Sequence, residues 1–323
     1  MSPYLARREG EVDMKHLFFP RHIQLLATVS LAAIILPILE AEQRCPGNVA
    51  SVTPRFVQRA LIVIPVRINQ AGPFDFMVDT GSQVTVIDPS LAAELHLKPR
   101  GTVGLVSVAS YAQASVTVLD SLEANSHVVE KPLAVVQDLR QIQAADPRIR
   151  GVLGENFLAH FDLFIDYAHK LLCLDDTTTM RQSVLGEHIP LVPPQNPENE
   201  LPFTERLVIA VHLSGAGTRQ ILLQLDSGSD GPILYARSKE TGLQWPEHAT
   251  PQGDTDSKAQ QFFAVLPQEM RIGKRTMNHI SFVTPVGVEN NVPARDEDGV
   301  LPTLLFQRVF ICPADHYVVF DPR

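Results

Sequence analysis

The sequence predicts a mainly β protein built as two homologous lobes around a pseudo-two-fold axis. Three observations carry that expectation. The chain has 323 residues, 45% of them hydrophobic and 20% charged, which is ordinary globular usage and enough apolar material for two cores. Apolar runs are short and bounded by turn formers, as strands are. Landmark strings also recur at a nearly constant offset, which marks an internal duplication.

The duplication is positional. Asp79-Thr80-Gly81-Ser82 returns as Asp226-Ser227-Gly228-Ser229, 147 residues on (79 to 226). Gly151-Val152-Leu153 returns as Gly299-Val300-Leu301 after 148 (151 to 299), and Asp175, closing Tyr167 to Asp175, matches Asp321, closing Tyr317 to Asp321, after 146 (175 to 321). The expected organisation is an N-terminal segment over 1–42, a first lobe over 56–176, a Pro-rich extended linker over 177–203 and a second lobe over 204–323. Pro190, Pro193, Pro194, Pro197 and Pro202 mark the linker.

Taken in chain order, Ile23 to Leu39 is apolar except for Gln24, Thr28 and Ser30 and follows Lys15 and Arg21. This is the pattern of a secretory signal or, uncleaved, of a membrane anchor through residues 23–41, leaving the rest exported to a periplasmic or extracellular space. Leu61 to Ile68 and Phe74 to Val78 read as a hairpin joined by residues 69–73; Leu207 to Leu213 and Gln220 to Leu225 repeat it. Val84 to Ile87 and Pro232 to Leu234 resume as strands after the acidic strings. Short helices are expected over Pro89 to Leu95, Asn156 to Phe161 and Tyr235 to Thr241.

Each acidic string ends an apolar strand, and every position in it has a chemical use. Gly81 and Gly228 permit a tight turn in which a main-chain N–H approaches the carboxylate. Thr80 and Ser227 offer hydroxyls to the opposite copy, while Ser82 and Ser229 are expected to donate to the outer oxygen of each acid. Around a pseudo-dyad, Asp79 and Asp226 would meet. Two carboxylates so close cannot both ionise, so they hold one proton and can activate a water as a general acid and base. Because their titrations are coupled, neither is assigned the base.

These strings, Phe76-Met77-Val78-Asp79-Thr80-Gly81-Ser82 with Arg150-Gly151-Val152-Leu153-Gly154, and their second copy, resemble the aspartic proteases. The first lobe is similar to a retropepsin-type lobe, and two such lobes in one chain are similar to the pepsin plan. The resemblance implies β-barrel-like lobes and catalysis by Asp79 and Asp226. It further implies an inter-lobe grip by Thr80 and Ser227, with Val152-Leu153-Gly154 packed beside the first acid. It also implies a polypeptide substrate, no cofactor and no metal. Tyr111, within Val108 to Val116, is the candidate flap residue, and Ala249 to Phe263 is the matching stretch of the second lobe. Pro302 stands where the family has Gly, which questions how well lobe two holds Asp226. Two alternatives stay open: a peptide-binding protein without activity, and a homodimeric protease using lobe one alone.

Other chemistries find no support in the chain. A net charge of −9 disfavours nucleic acid. G-x-S-x-G, H-E-x-x-H and a phosphate-binding Gly-rich loop are absent from the sequence. Asp296-Glu297-Asp298 reads as a solvated acidic loop. Cys45, Cys173 and Cys312 allow one bridge at most, with no spacing that selects a pair. Oligomeric state is not encoded in any motif.

Overall fold

The computed structural model describes residues 44–58, 60–108, 111–193, 206–235, 262–285 and 295–323. The fold is mainly β, with three sheets among the described residues. A ten-stranded sheet is drawn from residues 55–153 and an eight-stranded sheet from residues 208–302. A five-stranded sheet combines Asp162–Asp166 and Leu171–Asp175 with Arg308–Cys312, Tyr317–Phe320 and Ile189–Pro190. Both halves of the chain thus contribute to one shared sheet, in which Asp162–Asp166 pairs antiparallel with Arg308–Cys312.

The recurring strings have a common topological origin. In the first half, Ile149–Leu153 inserts between Ala71–Val78, to which it runs parallel, and Thr85–Ile87, to which it runs antiparallel. In the second half, Gly299–Pro302 inserts in the same way between Ile221–Asp226 and Ile233–Leu234. The strands before and after each acidic turn are therefore split by a third strand from far along the chain. Glycine is required in that third strand because the neighbours come too close for a side chain. A Cβ on Gly151 would lie 2.1 Å from the Phe76 ring, and one on Gly299 2.0 Å from the Ile233 carbonyl oxygen. Ile62, Ile64, Phe76, Leu153, Leu223, Leu225 and Leu301 are buried in one continuous core, while Met77, Ile149 and Val152 form a second cluster and Ile233 and Val300 belong to a third.

Several boundaries differ from the sequence expectation. The first hairpin is tighter: Leu61–Ile68 and Ala71–Val78 leave only Asn69 and Gln70 between them, with φ of 50° and 69°, the left-handed pair of a two-residue turn. The helix expected over 156–161 is a single turn, Glu155–Leu158, because Gly154 and the strand before it fix where it starts. That expected over 89–95 is Pro89–Glu94, capped by Asp88, whose Oδ1 accepts from the Ser90 and Leu91 N–H groups. Of Tyr235 to Thr241, all but Tyr235 lies outside the described residues. So does most of 249–263, of which Phe262 and Phe263 begin a strand. The first part of the expected linker is not extended. It forms the helix Thr179–Ser183 and the strand Ile189–Pro190, which pairs with Tyr317 and Val318. Prolines at an edge strand are compatible with that pairing. The acidic string 296–298 is no solvated loop either, since Glu297 is buried against Arg206 and Asp298 pairs with Arg219.

Cys45 and Cys173 form the disulfide, with Cα atoms 6.0 Å apart across 128 residues, and Cys312 is a buried free thiol. The bridge ties the start of the described chain to the shared sheet within a cluster containing Phe164, Met180, Phe310 and Tyr317. Closing so long a loop restricts the unfolded chain strongly. Cys45→Ala should therefore lower unfolding stability by about 2–5 kcal/mol, read by urea titration; wild-type protein under reductant should match the variant, and equal midpoints for oxidised wild type and variant would contradict the bridge.

Candidate functional site

The two acidic turns face one another. Asp79 and Asp226 are half-buried at the ends of their strands, near enough for the charge of Asp79 to bear on Asp226. How closely the turns approach is measured by their glycines. A Cβ on Gly81 would lie 2.4 Å from Oδ2 of Asp226, and one on Gly228 2.7 Å from Cγ of Asp79. Any side chain at either position would push the acids apart.

Beneath the acids lies a reciprocal set of hydrogen bonds between residues 0% and 1% exposed, Thr80 and Ser227. Thr80 N–H donates to Ser227 Oγ (3.1 Å), and Ser227 N–H donates to Thr80 Oγ1 (3.0 Å). The hydroxyls then pass their own protons to strand carbonyls of the opposite half, Thr80 to Leu225 (3.1 Å) and Ser227 to Val78 (3.0 Å). All four bonds cross between the halves and every hydroxyl both donates and accepts. Buried, fully satisfied networks of this kind fix a single arrangement.

Each acid is also held by its own turn. Gly81 N–H donates to Oδ1 of Asp79 (2.8 Å) and Gly228 N–H to Oδ1 of Asp226 (2.7 Å). The hydroxyls of Ser82 and Ser229 do not reach the acids, contrary to the expectation from sequence. They donate to the carbonyls of Val84 and Gly231, both at 2.9 Å, because a hydroxyl two residues short of a carbonyl closes its own turn more easily. The Ser82 N–H donates to the main-chain carbonyl of Asp79 (3.2 Å). Burial raises the affinity of both acids for protons. For Asp226 the adjacent Asp79 charge adds to it, so Asp226 stands well above the usual carboxylate range.

The replacement of Gly by Pro at 302 leaves this cradle intact. Gly154 is tightly enclosed, a Cβ there falling 2.7 Å from the Val84 backbone, whereas Pro302 pairs in register with Asp226 at φ −63° and ψ 133°. That φ is natural to proline. Asp226 keeps the same N–H donor as its partner.

Four neighbours have no signal in the motif. Gln224, buried two residues before Asp226, donates through Nε2 to the Gly81 carbonyl (3.0 Å), adding a one-sided tie between the turns. Tyr167 OH hydrogen-bonds Thr303 Oγ1 (2.6 Å) near Asp226. At the repeat position equivalent to Thr303 stands Glu155, 1% exposed, with no partner for either carboxyl oxygen. Burial and then the Asp79 charge hold Glu155 well above its ordinary value. Aligning the two halves would have exposed the Glu155/Thr303 asymmetry. Tyr111, the expected flap residue, lies across Gly104 of its own hairpin and accepts from Gln113 Nε2 (2.8 Å). The hairpin itself is present as Gly101–Val106 and Tyr111–Val118. Among the described residues no group of His, Cys, Asp and Glu is arranged to hold a metal ion.

A carboxyl whose pKa is raised on folding favours the fold below its unfolded pKa and loses that contribution as pH rises through the folded one. Glu155→Gln should therefore gain about 1–3 kcal/mol over wild type at neutral pH and nothing below the ordinary carboxylate range, followed by thermal unfolding across pH; an unchanged difference at both ends would mean Glu155 is ionised or solvated.

Residues 64–157, spanning the first acidic turn and the strand that splits it, match the family model described as aspartyl protease. No curated protein matches the chain. The match lies within the first half of the chain and supports an aspartyl-protease-type unit there.

Proposed function

We propose that the chain is an exported endopeptidase that hydrolyses peptide bonds with a water activated by Asp79 and Asp226. The observation that carries this reading is the close facing of the two acids, each packed on the glycine of the opposite turn, above the Thr80–Ser227 network. The ionised member takes a proton from the water as its oxygen attacks the scissile carbonyl. The protonated member donates to the developing oxyanion and recovers its hydrogen on collapse, when the other acid gives the proton it took from the water to the departing nitrogen. Atoms balance with water as the sole co-reactant, and no cofactor enters.

Export is supported by two features. The basic-then-apolar segment ending near residue 41 lies outside the described residues, and the Cys45–Cys173 bridge suits an oxidising compartment. Among the described residues no helix is long and apolar enough to cross a membrane. A polypeptide lacking folded structure is the expected substrate, since a peptide bond must lie extended to reach two acids at once. Binding without hydrolysis was suggested by Pro302. The equal Gly81 and Gly228 donors to the two acids favour hydrolysis instead.

Asp79→Asn and Asp226→Asn should each lower turnover of an unfolded protein by about 10²–10⁴-fold or more, measured by release of peptides. The rate per molecule should not change with enzyme concentration. Retained activity in Asp226→Asn together with a concentration-dependent rate would instead make lobe one a homodimeric protease. Because the pair must retain one proton and burial raises both acids, turnover should fall as pH rises through the raised value at which the pair loses that proton. A rate that climbs steadily into alkali would contradict the shared proton.

A further inference from the structure

The hairpin Gly101–Val106 with Tyr111–Val118 belongs to the sheet of the first half, yet its tip is bound to the second. Arg295 donates through Nη2 to the Ser107 carbonyl. The same guanidinium donates through Nη1 to Tyr235 OH (2.9 Å) and lies over the Tyr235 ring, 4.3 Å from its centroid. The same Nη1 lies 3.7 Å from buried Glu297, with which Arg206 also pairs. The plane of the guanidinium is thus fixed before it meets the hairpin, so little freedom is lost in forming the Ser107 bond.

An apolar contact adjoins it. Val108 packs against the cluster of Ile233, Tyr235 and Val300, with Phe262 and Val283 at its border. Ile233 follows the Asp226 turn and Val300 pairs with Gln224 in the strand leading into it. The tip therefore lands beside the second acidic turn, and the hairpin spans from one acid's lobe to the other's.

We propose that Arg295 is a positioning residue that latches this hairpin onto the second lobe in the free protein, with Val108 as its apolar seat, so that every polypeptide entering must break the latch. The inference rests on the reading of the acids as a peptidase site only for its kinetic consequence; the latch itself is a property of the fold. A contact made only in the closed state reduces apparent substrate affinity by the fraction of molecules that are open.

The test is amide hydrogen exchange of residues 101–108 and 111–118 with peptide kinetics on the full chain, comparing wild type, Arg295→Ala, Arg295→Lys and Val108→Ala. Arg295→Ala should speed hairpin exchange by about tenfold or more, the value of a hydrogen bond to a charged group. Arg295→Lys should fall between, keeping charge but losing the planar fork. Val108→Ala alters the hairpin alone, leaves the Arg295 ion pairs untouched, and should speed exchange several-fold by loss of buried methyls. In a cleaving enzyme all three should lower KM with kcat nearly unchanged. Faster exchange in a protein that cleaves nothing would uphold the latch and overturn the peptidase reading. Unchanged exchange in both Arg295→Ala and Val108→Ala, or a raised KM with faster exchange, would overturn the latch.

Discussion

Four hydrogen bonds between Thr80 and Ser227 and the strands that carry them hold the two halves of the site in register. Each bond is worth about 0.5–1.5 kcal/mol net, so their energy is modest. Their geometry matters more. Buried hydroxyls that must both donate and accept leave one orientation of the two turns in which nothing is unsatisfied, and it is the orientation that brings Asp79 and Asp226 together. Destabilising proximity of two acids is thereby imposed from below by a network that gains by forming.

The surrounding fold can be understood as support for that junction. A far strand splits each acidic turn and aligns the acid's carbonyl neighbours. The five-stranded sheet built from both halves keeps the halves from separating, and the disulfide anchors its edge. Asymmetry enters at the next layer outward. Gln224 ties only one turn to the other, Glu155 is a buried acid without a hydrogen-bond partner on one side, and Tyr167 with Thr303 occupies the equivalent place on the other. A duplicated structure can thus hold identical acids in unequal surroundings, which separates their proton affinities.

The duplication made the central part of this arrangement legible in the amino-acid order. Asp-hydroxyl-Gly-hydroxyl twice at one offset can be read as two turns of one kind, and the Gly-Val-Leu landmarks as their partners, because those positions obey local rules of turn and close approach. Gln224 and Arg295 were not legible, since each acts across the interface on a residue more than 140 positions away. A hydroxyl in such a motif suggests chemistry, but those of Ser82 and Ser229 donate to the nearer carbonyls of Val84 and Gly231. The prolines of 177–203 suggest a linker, yet edge pairing to Tyr317 and Val318 gives Ile189 and Pro190 a place in the sheet.

The central claim concerns one proton, and neutron diffraction on deuterium-exchanged crystals near neutral pH observes it directly. A single deuteron between the facing oxygens of Asp79 and Asp226 is expected. Two bare carboxylates, a deuteron on each, or acids held apart with water filling the space between them would contradict the account.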